Sequence, residues 1–137
     1  MKITIKNKND VDVYSFHDCD FKEMNYKYLE ECIQFLLYDR YINKIYSLYF
    51  EKVIYCEMQS CHMWDTMPSD IHGWGRCEDD IFDKLHNLYE TQKIKWGSIS
   101  PMLKLTEYIG VTFEFVSGDE LTIICKSIEI VEQDMGN

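Results

Sequence analysis

Nowhere does this chain run for about twenty apolar residues without interruption, so no membrane-spanning helix is expected. Its opening residues, Met1-Lys2-Ile3-Thr4-Ile5-Lys6, lack the apolar core of a secretion signal, and a cytoplasmic location follows as the expectation. Basic residues are scarce as well: 14 lysines and arginines stand against 24 acids, for a formal net charge of -10. The deficit is local. Residues 57–83 hold seven acids with Arg76 as the only base, and residues 105–137 hold seven more with only Lys126. Such surfaces repel phosphate, which argues against nucleic acid or an anionic membrane as partner and favours a basic protein.

Motifs that carry chemistry are also missing. There is no Cys-x-x-Cys pair, and Gly73-Trp74-Gly75 lacks the lysine and the further glycines of a phosphate loop. No Ser-His-Asp arrangement stands out, and 24 acids single out no carboxylate pair for glycoside hydrolysis. Cys61, His62, His72 and Cys77 are of the right type for zinc, but their spacing is not that of a zinc site. In His17-Asp18-Cys19-Asp20 a thiol and an imidazole are close in sequence. On a strand His17 and Cys19 would share one face, and a polar strand end entering a turn accounts for these residues. With no export signal, most of the six cysteines are expected as free thiols, Cys32 and Cys125 as small core fillers. No catalytic residue, metal ligand or cofactor is therefore assigned.

What the chain does have is β-pattern. Val111, Phe113 and Phe115 alternate with Thr112 and Glu114, Ser117-Gly118-Asp119-Glu120 supplies a turn, and Leu121, Ile123 and Cys125 resume the alternation. This predicts a hairpin, which Ile128 and Ile130 extend before an acidic end, residues 132–137, that should fray. Residues 2–6 and 11–16, joined by Asn7-Lys8-Asn9-Asp10, read as a first hairpin, and residues 21–28 as another strand. Residues 29–38 fit a helix through Leu29, Ile33, Leu36 and Leu37, or a strand through Ile33, Phe35 and Leu37. The β-rich run at 45–50 favours a meander and hence the strand. Residues 53–58 continue it past a bulge near Glu51-Lys52, residues 59–78 read as loop, and 102–109 as strand.

Glu78-Asp79-Asp80 precedes Ile81, Phe82, Leu85, Leu88 and Tyr89, whose spacing predicts a helix of about three turns near residues 79–90, with residues 91–100 a polar connection. The expected fold is one domain over residues 1–137. It is mainly β (α+β): an antiparallel sheet or two-layer β-sandwich of short strands and hairpins with that one helix.

Trp64 and Trp74 lie among Asp65, Asp70, Glu78, Asp79, Asp80 and Asp83, and aromatic anchors ringed by acids are a composition suited to binding a basic protein. Either indole could instead plug the end of the core. Phe16-His17-Asp18 after a short first hairpin, together with Phe113-Glu114-Phe115, Gly118 and residues 121–130, resembles the immunity protein 50 family of bacterial polymorphic toxin systems. The resemblance implies a small, cytosolic, mostly β protein that binds and neutralises a cognate toxin domain. The leading expectation is thus a non-enzymatic inhibitor that occludes a basic toxin domain, such as a nuclease. The alternatives are a small metal- or thiol-dependent enzyme using Cys61, His62, His72 and Cys77, or a β-domain that binds a small ligand.

Overall fold

Alternation decides the segment that could have been helix or strand. Ile33, Phe35 and Leu37 are fully buried while Gln34, Leu36 and Tyr38 are half-exposed, a period of two that only a strand can produce. The computed structural model describes residues 1–59, 70–97 and 101–135. Its strands are β1 (Lys2–Thr4), β2 (Asp20–Lys27), β3 (Cys32–Asp39), β4 (Lys44–Glu51), β5 (Tyr55–Met58), β6 (Ile71–Arg76), β7 (Ile109–Phe115), β8 (Glu120–Cys125) and β9 (Ser127–Asp134). The helix α1 (Glu78–Trp96) lies between β6 and β7. All strand pairs are antiparallel, in a five-stranded sheet ordered β1-β9-β4-β3-β2 and a four-stranded sheet ordered β5-β8-β7-β6. The mainly β, antiparallel, one-helix expectation is met.

The inner faces of the two sheets make one core. Phe35 of β3 and Phe50 of β4 meet Phe113 of β7, with ring centroids 5.2 and 6.3 Å apart, and Ile33, Leu48, Val111, Leu121 and Ile123 fill in around them. Each such side chain contributes roughly 1.5–3 kcal/mol by leaving water, so this seam dominates the stability. A second, smaller cluster of Ile81, Tyr108 and Ile124, with Tyr55, Phe82 and Leu85 packed against it, seats α1 on the opposite face of the four-stranded sheet.

Several expected elements are different. Residues 11–16 are not the second arm of a hairpin: Ile5–Val13 forms 3-10 helical turns, and β1 pairs with β9 instead. Asn7 drives this, accepting from the Thr4 amide at 2.7 Å and donating to the Lys2 carbonyl at 3.0 Å and to Asp10 at 2.9 Å. Residues 53–58 do not continue β4 past a bulge. With Lys52 at φ 56 the chain leaves one sheet and enters the other as β5. The final hairpin is not extended by Ile128 and Ile130 either, because the chain crosses back at Lys126 and β9 inserts between β1 and β4.

The acidic end does not fray from residue 132, since Glu132 is paired with Tyr46 in the ladder and with Lys44 Nζ at 3.1 Å. Within 59–78, expected as loop, β6 forms because Gly73 and Gly75 lie on the outer face while Ile71 and Trp74 turn inward. The helix runs to Trp96, 19 residues, because nothing in 91–96 breaks it and Lys93 and Lys95 oppose the negative end of its dipole. Gly97, at φ 76, stops it. Residues 102–109 are not a strand; they contain the short turn Leu105–Glu107, and the strand begins at Ile109.

Candidate functional site

The period of two that buries Val111, Phe113 and Phe115 sends Gly110, Thr112 and Glu114 to the outer face of the four-stranded sheet, and sends Glu120, Thr122 and Ile124 there from β8. Helix α1 covers only one end of this face. A Cβ on Gly110 would lie 3.3 Å from Cys77 Sγ and 3.4 Å from Ile81 Cγ2, so glycine is what lets the start of the helix approach so closely. Among the described residues nothing lies within 4 Å of a Cβ built on Gly73 or Gly75. The Thr112 and Thr122 hydroxyls are 2.9 Å apart, and two residues further along each strand Glu114 stands directly opposite Glu120. Between the first turns of α1 and the sheet lies a cleft of about 240 Å³, lined by Glu57, Asp80, Lys84, Glu120 and the threonine pair.

Glu78, Asp79 and Asp80 occupy the first turn of α1, with Asp83 on the next, where the helix dipole favours carboxylates. Glu78 is held by Arg76 Nε at 2.9 Å, and Glu57 is taken up by Lys84 and Tyr55, whose hydrogen bonds hold its carboxyl below the ordinary range. Asp79, Asp80, Asp83, Glu114 and Glu120 have no cation within ion-pair distance among the described residues. The structure therefore gathers four of the sequence-predicted acids at the helix start and adds two that the composition of 57–83 did not single out. The signal for Glu114 and Glu120 was available: each shares a strand face with one of the two threonines.

The remaining predicted residues fall elsewhere. Trp74 is not an exposed anchor. Its indole sits 5.2 Å from Phe113 and 5.0 Å from Phe16, and Nε1 donates to the Tyr14 carbonyl at 2.6 Å, so it plugs the core from the inner face. Asp70 is buried beside Asp20, with Arg40 reaching its Oδ2 at 3.3 Å and Asp20 Oδ1 at 3.6 Å. Burial, then the neighbouring Asp20, pushes the Asp70 carboxyl above its ordinary value. Trp64, Asp65, Cys61 and His62 lie outside the described residues.

Phe16, at φ 54, and Asp18, at φ 63, fold Phe16-His17-Asp18 into a tight loop instead of a strand end. It docks on β6: the Asp18 amide donates to the Ile71 carbonyl at 2.8 Å, the Ile71 amide to the Cys19 carbonyl at 2.9 Å, and His17 Nδ1 lies 2.8 Å from the His72 carbonyl. Cys19 is fully buried, and burial followed by Asp39, Asp20 and Asp18 pushes its thiol up to about 12, which holds it as the thiol. Burial also raises Cys77, against the hydrogen bond from Thr112 that lowers it. Cys32, expected as a core filler, is half-buried, whereas Cys125 is fully buried. All five described cysteines are free thiols. Among the described residues no group of three or more His, Cys, Asp or Glu is placed to hold a metal ion, and no helix is long and apolar enough to cross a membrane. No protein-family model matches the chain, and neither does any curated protein or solved structure.

Proposed function

We propose that the protein is a cytoplasmic immunity protein that binds a cognate toxin domain and occludes its basic active-site cleft, such as that of a nuclease. The acidic face of the four-stranded sheet makes the contact. The observation that carries this reading is Glu114 directly opposite Glu120 on the outer sheet face, with Asp80 of the helix start lining the cleft beside Glu120. Like charges across a strand pair cost stability, and a basic partner removes that cost by supplying the missing cations. Around the acidic pair the surface is lined by Gly73, Gly75, Thr112 and Thr122, whose side chains are small or absent. Occlusion requires no chemistry from the inhibitor, and the buried Cys19 is consistent with that. The on-rate falls as salt rises, because the attraction acts over a screened distance.

The test is affinity purification of the tagged chain from its native host at low and high salt, with retained proteins identified by mass. The expected outcome is one basic domain that is lost as salt rises and is not retained by a Glu114→Lys/Glu120→Lys variant. Equal retention by the wild-type chain and the variant would refute this face, and an acidic partner would refute the charge argument.

A further inference from the structure

At its other end α1 has the opposite character. Every residue of 91–97 is exposed. Alongside it runs an open apolar trough of about 440 Å³, with Leu85, Leu88 and Gln92 on the helix side and Ile54, Leu103 and Leu105 opposite. Leu88 is 48% exposed and Leu103 55%, and Trp96, 64% exposed, lies one turn beyond Gln92, to whose Oε1 its Nε1 donates at 2.8 Å. From Leu85 to Gln92 the helix side of the trough is about 10 Å long, two helical turns.

The charge around it is reversed relative to the rest of the chain. Residues 84–105 contain four lysines and a single acid, Glu90, in a chain of net charge -10. At 100° per residue, Lys93 and Lys95 fall on either side of the Leu85, Leu88, Gln92 and Trp96 face, about 95° and 65° from its centre, while Asp79, Asp83 and Glu90 turn away. Lys104 lies in sequence between Leu103 and Leu105 of the opposite wall. Lys84 is taken up by Glu57, but Lys93, Lys95 and Lys104 have no carboxylate within ion-pair distance among the described residues. Lys95 Nζ lies 5.3 Å from the centroid of the Trp96 ring.

We propose that this trough binds an amphipathic helix of a protein partner, its apolar face laid on Leu88, Leu103 and Trp96 and its flanks acidic to meet Lys93, Lys95 and Lys104. The apolar floor supplies affinity, and the lysines on both flanks select carboxylates and reject a basic helix. A concave trough with two walls suits a helix better than a lipid surface, and the strongly negative chain is repelled by an anionic bilayer. The protein is thus bipolar along α1, with a carboxylate surface at the start of the helix and a lysine-flanked apolar one at its end.

The experiment pans a displayed library of short random peptides on the intact chain and counter-selects on a Leu88→Glu/Leu103→Glu variant. Peptides that depend on the trough are expected to carry apolar residues at i, i+3 or i+4 and i+7 with Asp or Glu beside them. Their affinity should drop about tenfold or more on Lys93→Glu/Lys95→Glu, with Lys-flanked versions of the same peptides gaining. The lysine variant alters only exposed side chains, so it tests the charge preference even if the leucine variant does not fold. Trough-dependent peptides without acids or helical spacing, affinities unmoved by the lysine variant, or no trough-dependent peptide at all would overturn the proposal. So would binding to phosphatidylglycerol vesicles that the peptides do not compete.

Discussion

Replacing Glu120 with lysine should stabilise the protein while weakening its hold on a basic partner. Opposed side chains in an antiparallel pair have Cβ atoms about 5 Å apart, which places the Glu114 and Glu120 carboxylates at about 6 Å. On a water-exposed face with an effective dielectric of about 40–80, that repulsion is about 0.7–1.4 kcal/mol, and salt at physiological strength roughly halves it. Glu120→Lys turns the repulsion into attraction of similar size, and Asp80 lines the same cleft, so the lysine has a further carboxylate to meet, while Lys84 there is already paired with Glu57. The net gain is about 1 kcal/mol, or roughly 3–5 °C in Tm for a domain of this size. Urea unfolding measures it: the midpoint should rise with an unchanged slope, rise less at high salt, and rise about half as far for Glu120→Gln. A midpoint that stays put or falls at low salt, with the slope unchanged, would refute the claim that this acidic pair is maintained at a cost.

Phe113→Ala should cost about 3–5 kcal/mol in urea unfolding, because the ring is fully buried and touches Phe35, Phe50 and Trp74 across the sandwich. Gly110→Val should cost about 1–3 kcal/mol and alter the near-ultraviolet circular dichroism, since the space is already taken by Cys77 and Ile81 of the helix start. The Asp70 carboxyl titrates above its unfolded value, so the stability it contributes is full below the unfolded pKa and lost as pH rises through the folded one. Asp70→Asn should remove that component, making stability fall less with rising pH than in the wild type, measured as unfolding midpoints across the acid range. Cys19 and Cys125, both fully buried and with thiols held protonated, should react with an aromatic disulfide reagent only as fast as the protein unfolds, with reactivity tracking urea concentration.

The inner faces of the sandwich were legible because a period of two survives wherever one face is buried, as at Ile33, Phe35 and Leu37 and again at Val111, Phe113 and Phe115. Strand β6 was not, because Gly73 and Gly75 carry no side chain to show which face they occupy. The alternation there is reduced to Ile71 and Trp74, put out of step by the irregular pairing between Ile71 and Gly73. The sheet changes at Lys52 and Lys126 were invisible for another reason: a single residue redirects the chain, and local pattern on either side is unaltered. Of the candidate face, the acids starting α1 could be read from helix-dipole logic. That Trp74 stacks inside, while Glu114 and Glu120 stand opposed outside, depends on registers that only pairing fixes.

The position of β9 bears on how the molecule reaches this state. The five-stranded sheet has a locally connected half, β2-β3-β4, but its β1 can pair only with a strand more than a hundred residues away, as Lys2 does with Glu129. Residues 127–134 must slot between two strands that otherwise have no contact in the sheet, so a nascent or truncated chain ending before Ser127 leaves β1 and the free edge of β4 unpaired. Such long-range closure is slow. Refolding is therefore expected to pass its barrier when this strand docks, with the β2-β3-β4 meander formed first and β1 protected from hydrogen exchange last.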